Sequence, residues 1–174
     1  MRRFFPFLAL VFLLGELLMI AGCQKGPQVP SIAEVGKSAP DFALKDTTGK
    51  LWKLSELNGN LVFINFWATW CPPCRDEMPS MESLYRRLAS NKFHMVTILY
   101  NDDPGQAAQY VHENGFTFPV LLDPAGNAAR AYGLTGVPET YIVDRDGILR
   151  EKFIGPVQWN SAGAINMVGK YLPR

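Results

Sequence analysis

With 174 residues the chain has room for one domain of ordinary size, and 48% hydrophobic with 19% charged residues is a globular composition that excludes disorder. The formal charge of +1 comes without any basic stripe, which leaves nucleic acid without support as a partner.

Arg2 and Arg3 precede an apolar stretch from Phe4 to Ile20, the layout of a secretory signal, so export is expected. At about 1.5 Å per residue the stretch reaches about 25 Å, short of the ~30 Å hydrocarbon core. Glu16 inside it would cost roughly 2.5–3.5 kcal/mol near the bilayer centre, so a cleaved signal over residues 1–22 fits better than a spanning helix. Ile20-Ala21-Gly22-Cys23 closes the segment and resembles the lipobox at which bacterial lipoprotein precursors are lipidated and cut. The resemblance implies that Cys23 becomes the first mature residue and carries a lipid anchor at the bacterial cell envelope. Residues 23–35, with Gly26, Pro27 and Pro30 and no periodicity, read as a tether, and residues 36–174 as the folded domain.

Phe42, Leu44 and Leu51 to Leu54 around Asp46-Thr47-Thr48-Gly49 predict an opening β-hairpin, and Leu61 to Phe66 a buried strand. Cys71 and Cys74 follow at once. Met78, Met81, Leu84, Tyr85 and Leu88 then recur at helical spacing, predicting a helix from Pro73 to Ala89 with Ser80, Glu82, Arg86 and Arg87 off its apolar face. Beyond it come a strand over His94–Tyr100, a helix over Pro104–Asn114, a short strand over Pro119–Leu122 and a short helix around Asn127–Tyr132. Thr140–Val143 and Ile148–Ile154 pair across the turn Asp144-Arg145-Asp146-Gly147, and Trp159, Ala162, Ile165 and Val168 predict a last amphipathic helix. This order gives an α/β protein whose mixed sheet is covered on both faces.

The chemistry lies in Cys71-Pro72-Pro73-Cys74. A vicinal dithiol where a strand turns into a helix places Cys71 at free backbone N–H groups and the positive end of the helix dipole, where an exposed thiol becomes acidic. The dipole stabilises a thiolate by about 0.3–1 kcal/mol, up to ~2 when partly buried. Pro72 and Pro73 suit helix entry, where a missing N–H costs nothing. With Cys23 assigned to the anchor these are the only other cysteines, and a bridge closing so small a loop constrains the unfolded chain little, so the pair reads as catalytic. Half a zinc site is the structural alternative. His94 and His112, the only histidines, lack the spacing to complete one, and no metal is assigned.

Phe66 to Cys74, followed by Arg75-Asp76-Glu77-Met78-Pro79, resembles the active-site signature of membrane-tethered thioredoxin-like proteins of the TlpA, ResA and DsbE type. Gly133-Leu134-Thr135-Gly136-Val137-Pro138-Glu139-Thr140 resembles their second signature. The resemblance implies a thioredoxin-like fold with an N-terminal β-hairpin and an inserted αβ unit. It implies a cis bond before Pro138, with Trp70, Val137 and Pro138 binding substrate, and a role for Glu77 near the dithiol; alone, Glu77 could equally be an acidic residue stabilising the helix start. Asn65 stands where cytosolic thioredoxins carry a buried aspartate.

The implied activity is that of an exported thiol:disulfide oxidoreductase with no cofactor beyond a redox-active Cys71–Cys74 disulfide. Its partners would be protein disulfides such as those of apocytochrome c before haem attachment, and a membrane thiol relay as reductant. Gly36 to Phe42 also resembles peroxiredoxin openings, making a peroxidase one alternative, but Ala68 and Ile64 occupy the places of the threonine or serine and the proline that peroxiredoxins carry before their cysteine. A non-catalytic copper or apoprotein carrier is the other, since two thiolates can hold a soft ion.

Overall fold

The computed structural model describes residues 32–90 and 92–173; the expected signal segment and Cys23, the expected lipidation site, lie outside them. The described residues form seven strands: β1 (Ala43–Asp46), β2 (Leu51–Lys53), β3 (Leu61–Trp67), β4 (Phe93–Leu99), β5 (Val120–Leu122), β6 (Glu139–Val143) and β7 (Leu149–Ile154). Four helices accompany them: α1 (Pro72–Arg87), α2 (Pro104–Glu113), α3 (Asn127–Ala131) and α4 (Ala162–Gly169). The strands form one sheet in the order β2-β1-β5-β4-β3-β6-β7. β3, β4 and β5 run parallel, while β6, β7 and the β1–β2 hairpin are antiparallel to their neighbours.

The hairpin forms because Asp46 ties its own turn, accepting from the Thr48 and Lys50 N–H groups at 2.8 and 3.1 Å and from the Trp52 indole at 2.9 Å. The inserted α2–β5 unit then carries it: β5 pairs with β4 on one side and β1 on the other, so the hairpin extends the central sheet.

β3 is buried along its whole length because both of its faces are covered. Leu61, Phe63 and Trp67 point toward Met78, Met81 and Leu84 of α1 and toward Trp159. Val62, Ile64 and Phe66 point to the opposite core, with Val96, Ile98, Tyr132 and Tyr141. Each such side chain contributes about 1.5–3 kcal/mol on leaving water. With both faces paid for by apolar burial, the polar Asn65 of β3 sits on the α1 side, where it needs a partner.

Three elements differ from the sequence reading. Trp159 precedes the last helix rather than opening it, because Ser161 is the N-cap and accepts the Ala164 N–H at 3.2 Å. Ser80 and Glu82, placed by periodicity off the apolar face of α1, are both buried. Ser80 bonds the Glu77 carbonyl and accepts the Trp159 N–H, and Glu82 accepts the backbone and hydroxyl of Thr117 at 2.8 and 2.7 Å, so each buried polar atom has a partner. The chain is also docked before Gly36: the Ala33 N–H donates to Ala131 O at 2.9 Å, and Ile32 rests against Gly133. Gly133 has φ +60°, and a Cβ there would strike Ile32.

Candidate active site

The C-terminal end of β3 delivers the chain into a short turn, Ala68–Trp70, and then into α1 with Cys71 as N-cap. Two contacts from the loop after β4 hold that turn. The Asp102 carboxylate accepts the Thr69 N–H at 2.5 Å, and the Trp70 indole donates to Asn101 O at 3.1 Å. Trp70 is thereby pinned at its nitrogen while its ring stays largely exposed beside the dithiol.

Cys71 and Cys74 are joined in a disulfide with Cα atoms 5.3 Å apart. Cys71 Sγ accepts the Cys74 N–H at 3.2 Å, so a thiolate formed there keeps one backbone donor at the positive end of a 16-residue helix. Pro72 and Pro73 fill the first two helical positions, where no N–H is needed. Pro79 lies inside the helix but on its exposed side. The exposed thiol expected at Cys71 is a correction: Cys71 is 3% exposed and Cys74 1%. The cause is the loop before β6, whose Val137 O lies 3.5 Å from Cys71 Sγ and covers it. Having no proton, the disulfide sulfur only touches that carbonyl; a thiol would donate to it.

The Val137–Pro138 bond is cis; Val137 is half-buried and Pro138 buried. Val137 thus stands against Cys71 through its carbonyl, with Pro138 next in the chain and Trp70 on the turn just before Cys71.

Glu77 stands one helical turn past Cys74 and is 1% exposed. It lies beyond the first turn of α1 and inside the core, so it does not act as a surface charge at the helix start. One carboxylate oxygen accepts the Trp159 indole N–H and the Val157 N–H, the latter at 3.2 Å. The other has no partner, and neither does Asn65 Oδ1. Burial raises the Glu77 carboxyl to about 7, against the opposing pull of the bonds from Trp159 and Val157. All these partners are neutral. The group is thus a proton acceptor or donor poised near neutrality.

Sequence reasoning missed Trp159 and Val157 as partners of Glu77 and Asp102 as the support of the dithiol turn. Trp159 could be read only as an apolar helix residue, and nothing local ties it to a residue 82 positions away. Among the described residues, no three His, Cys, Asp or Glu side chains cluster as metal ligands, and no helix is long and apolar enough to cross a membrane. His94 is half-buried against the Trp52 ring, centroids 6.5 Å apart, and His112 is exposed on α2.

An internal disulfide closed across a helix N-terminus, covered by the loop that carries the cis Val137–Pro138 bond and followed one turn on by a buried acid, places the molecule among the thioredoxin-like thiol-disulfide oxidoreductases. More narrowly, the chain belongs to the AhpC/TSA family, whose model matches residues 35–152. Its relatives include the thiol-disulfide oxidoreductase ResA of Bacillus subtilis strain 168, 37% identical over 145 residues that cover 79% of this chain and 80% of that one. ResA of Bacillus thuringiensis strain Al Hakam is 34% identical over 122 residues, 70% of each chain. Among solved structures, a Chlorobium tepidum protein proposed to be the thiol:disulfide interchange protein DsbE superposes with a TM-score of 0.74 at 30% identity, covering 81% of this chain and 99% of its own. StoA of Bacillus subtilis shares the fold at a TM-score of 0.63 and 23% identity, covering 76% of this chain and 96% of its own.

Proposed function

We propose that this oxidoreductase is an exported, membrane-tethered reductant of protein disulfides, with apocytochrome c as its substrate class and a membrane thiol relay as its electron source. Cys71 thiolate attacks one sulfur of the substrate disulfide, forming a mixed disulfide and releasing the other sulfur as a thiolate. Cys74, giving its proton to Glu77, then attacks Cys71 Sγ. The substrate leaves with both sulfurs reduced, and the Cys71–Cys74 bond holds the two electrons' worth of oxidation until the relay reduces it. Trp70, Val137 and Pro138 seat the substrate chain.

One observation carries the direction of flux: Glu77 is a buried acid one turn from Cys74 with only neutral partners. Its negative charge opposes a thiolate at the dithiol. An oxidant draws its power from a stabilised reduced form, so a site that disfavours its thiolate belongs to a reductant. Mixing the reduced protein with oxidised apocytochrome c should open the substrate's Cys-Cys bond faster than that of an unrelated protein disulfide. Equal rates on both would remove the substrate assignment. The tether is tested separately: wild type should incorporate a radiolabelled fatty acid and Cys23→Ala should not, and an unlabelled wild type rejects the anchor.

A further inference from the structure

Glu139 ends the loop that covers Cys71 and takes no part in the chemistry described so far. It is fully buried at the start of β6. A buried carboxylate is costly unless paired and hydrogen-bonded, and this one is both. One oxygen accepts the Thr135 N–H at 2.9 Å and the Thr135 hydroxyl. The other accepts the Tyr141 hydroxyl at 2.6 Å and lies 3.2 Å from Lys152 Nζ. The Thr135 N–H and the Lys152 ammonium can only donate, one to each oxygen, and the ionised form is the one that accepts from both. Burial pushes this carboxyl up, but the bonds from Thr135, Tyr141 and Lys152 outweigh it and hold it below the usual carboxylate range.

The geometry has a direction. Two of the bonds run back to Thr135, four residues earlier, and close Thr135–Glu139 into a ring whose rim is Gly136, Val137 and Pro138. The other two fix that ring to the sheet, through Tyr141 of β6 and Lys152 of β7. Tyr141 is itself wedged between Phe66 and Tyr132, with ring centroids 5.8 and 4.9 Å away. At the free rim stands Val137, its carbonyl against Cys71 Sγ.

We infer that Glu139 is a positioning residue for protein substrates: its carboxylate holds the Thr135–Pro138 rim so that the Val137 backbone meets the substrate chain beside Cys71. The inference rests on the reading of protein disulfides as substrates. A small disulfide, which Cys71 can attack without any chain lying along Val137, does not need the rim held. Glutamine at position 139 keeps the size but turns one oxygen into an NH2 group. Whichever way the amide faces, that NH2 meets a group that can only donate, either the Thr135 N–H or the Lys152 ammonium.

The test compares kcat/KM of the full chain in detergent for the disulfides of insulin and for bis(2-hydroxyethyl) disulfide. In Glu139→Gln the insulin-to-small-disulfide ratio should fall about 10-fold, mainly through KM, while the small-disulfide pH profile stays that of wild type. An unchanged ratio, or a parallel loss of both reactions, overturns the inference. Thr135→Val removes one donor and keeps the shape; it should move the ratio the same way by a smaller factor. It also decides the matter if Glu139→Gln does not fold, an unchanged ratio then overturning the role. Failure of wild type on insulin alone would instead sink the reading of protein disulfides as substrates.

Discussion

Serine in place of Cys74 is expected to stop turnover and leave the substrate covalently attached to Cys71. Cys74 is buried in the first turn of α1, and its sulfur is the one bonded to Cys71 Sγ, so no other thiol of the domain can displace the substrate. The first exchange needs only Cys71 and the Cys74 N–H, both of which survive the substitution. Cys74→Ser should therefore gain the mass of one substrate chain, released by dithiothreitol, whereas Cys71→Ser should gain nothing and fall to the uncatalysed rate. An adduct on Cys71→Ser, or turnover by Cys74→Ser, would reverse or remove the assigned roles. The adduct also gives a means of capturing the natural substrate.

Glu77→Gln should separate the chemistry from the fold. Losing the group that takes the Cys74 proton should slow resolution of the mixed disulfide by about 10²-fold near neutral pH, a typical loss for a general base. The rate profile should lose its inflection near pH 7, where the Glu77 carboxyl titrates. Stability should move the opposite way. A carboxyl raised to about 7 from an ordinary 4.5 favours the folded state while protonated; that contribution is complete below pH 4.5 and is lost as pH rises to 7. Above pH 7 the wild type carries a buried anion costing up to about 3 kcal/mol, which glutamine avoids. At pH 8 the variant should be the more resistant to urea, and at pH 4 the two should be alike. A variant with an unchanged rate profile would exclude Glu77 from proton transfer, even if its stability behaved as described.

Much of this site is written locally. Cys71, its two prolines and the apolar recurrence from Met78 to Leu84 are all signals within one helix, and the strand before them declares itself by the apolar run Leu61 to Phe66, broken only at Asn65. What the chain does not declare is set by distant partners. Ser80 and Glu82 look like solvent-facing residues because periodicity counts only apolar side chains; they are buried because Trp159 and Thr117 arrive with donors. Cys71 loses its exposure to Val137, 66 positions away. Glu77 could equally be a helix-start charge until Val157 and Trp159 close over it. The last helix was open to a better reading, since Ser161 is an N-cap visible in the sequence.

A buried acid beside the dithiol opposes its thiolate, and the reduction potential of the Cys71/Cys74 couple measures that directly. Equilibration against glutathione at pH 7 should give a value near that of thioredoxin, about −270 mV, or lower. In Glu77→Gln it should rise by about 30 mV if the carboxylate is worth one decade of thiolate stability. A wild-type value near about −120 mV would mark a strong oxidant and contradict the account.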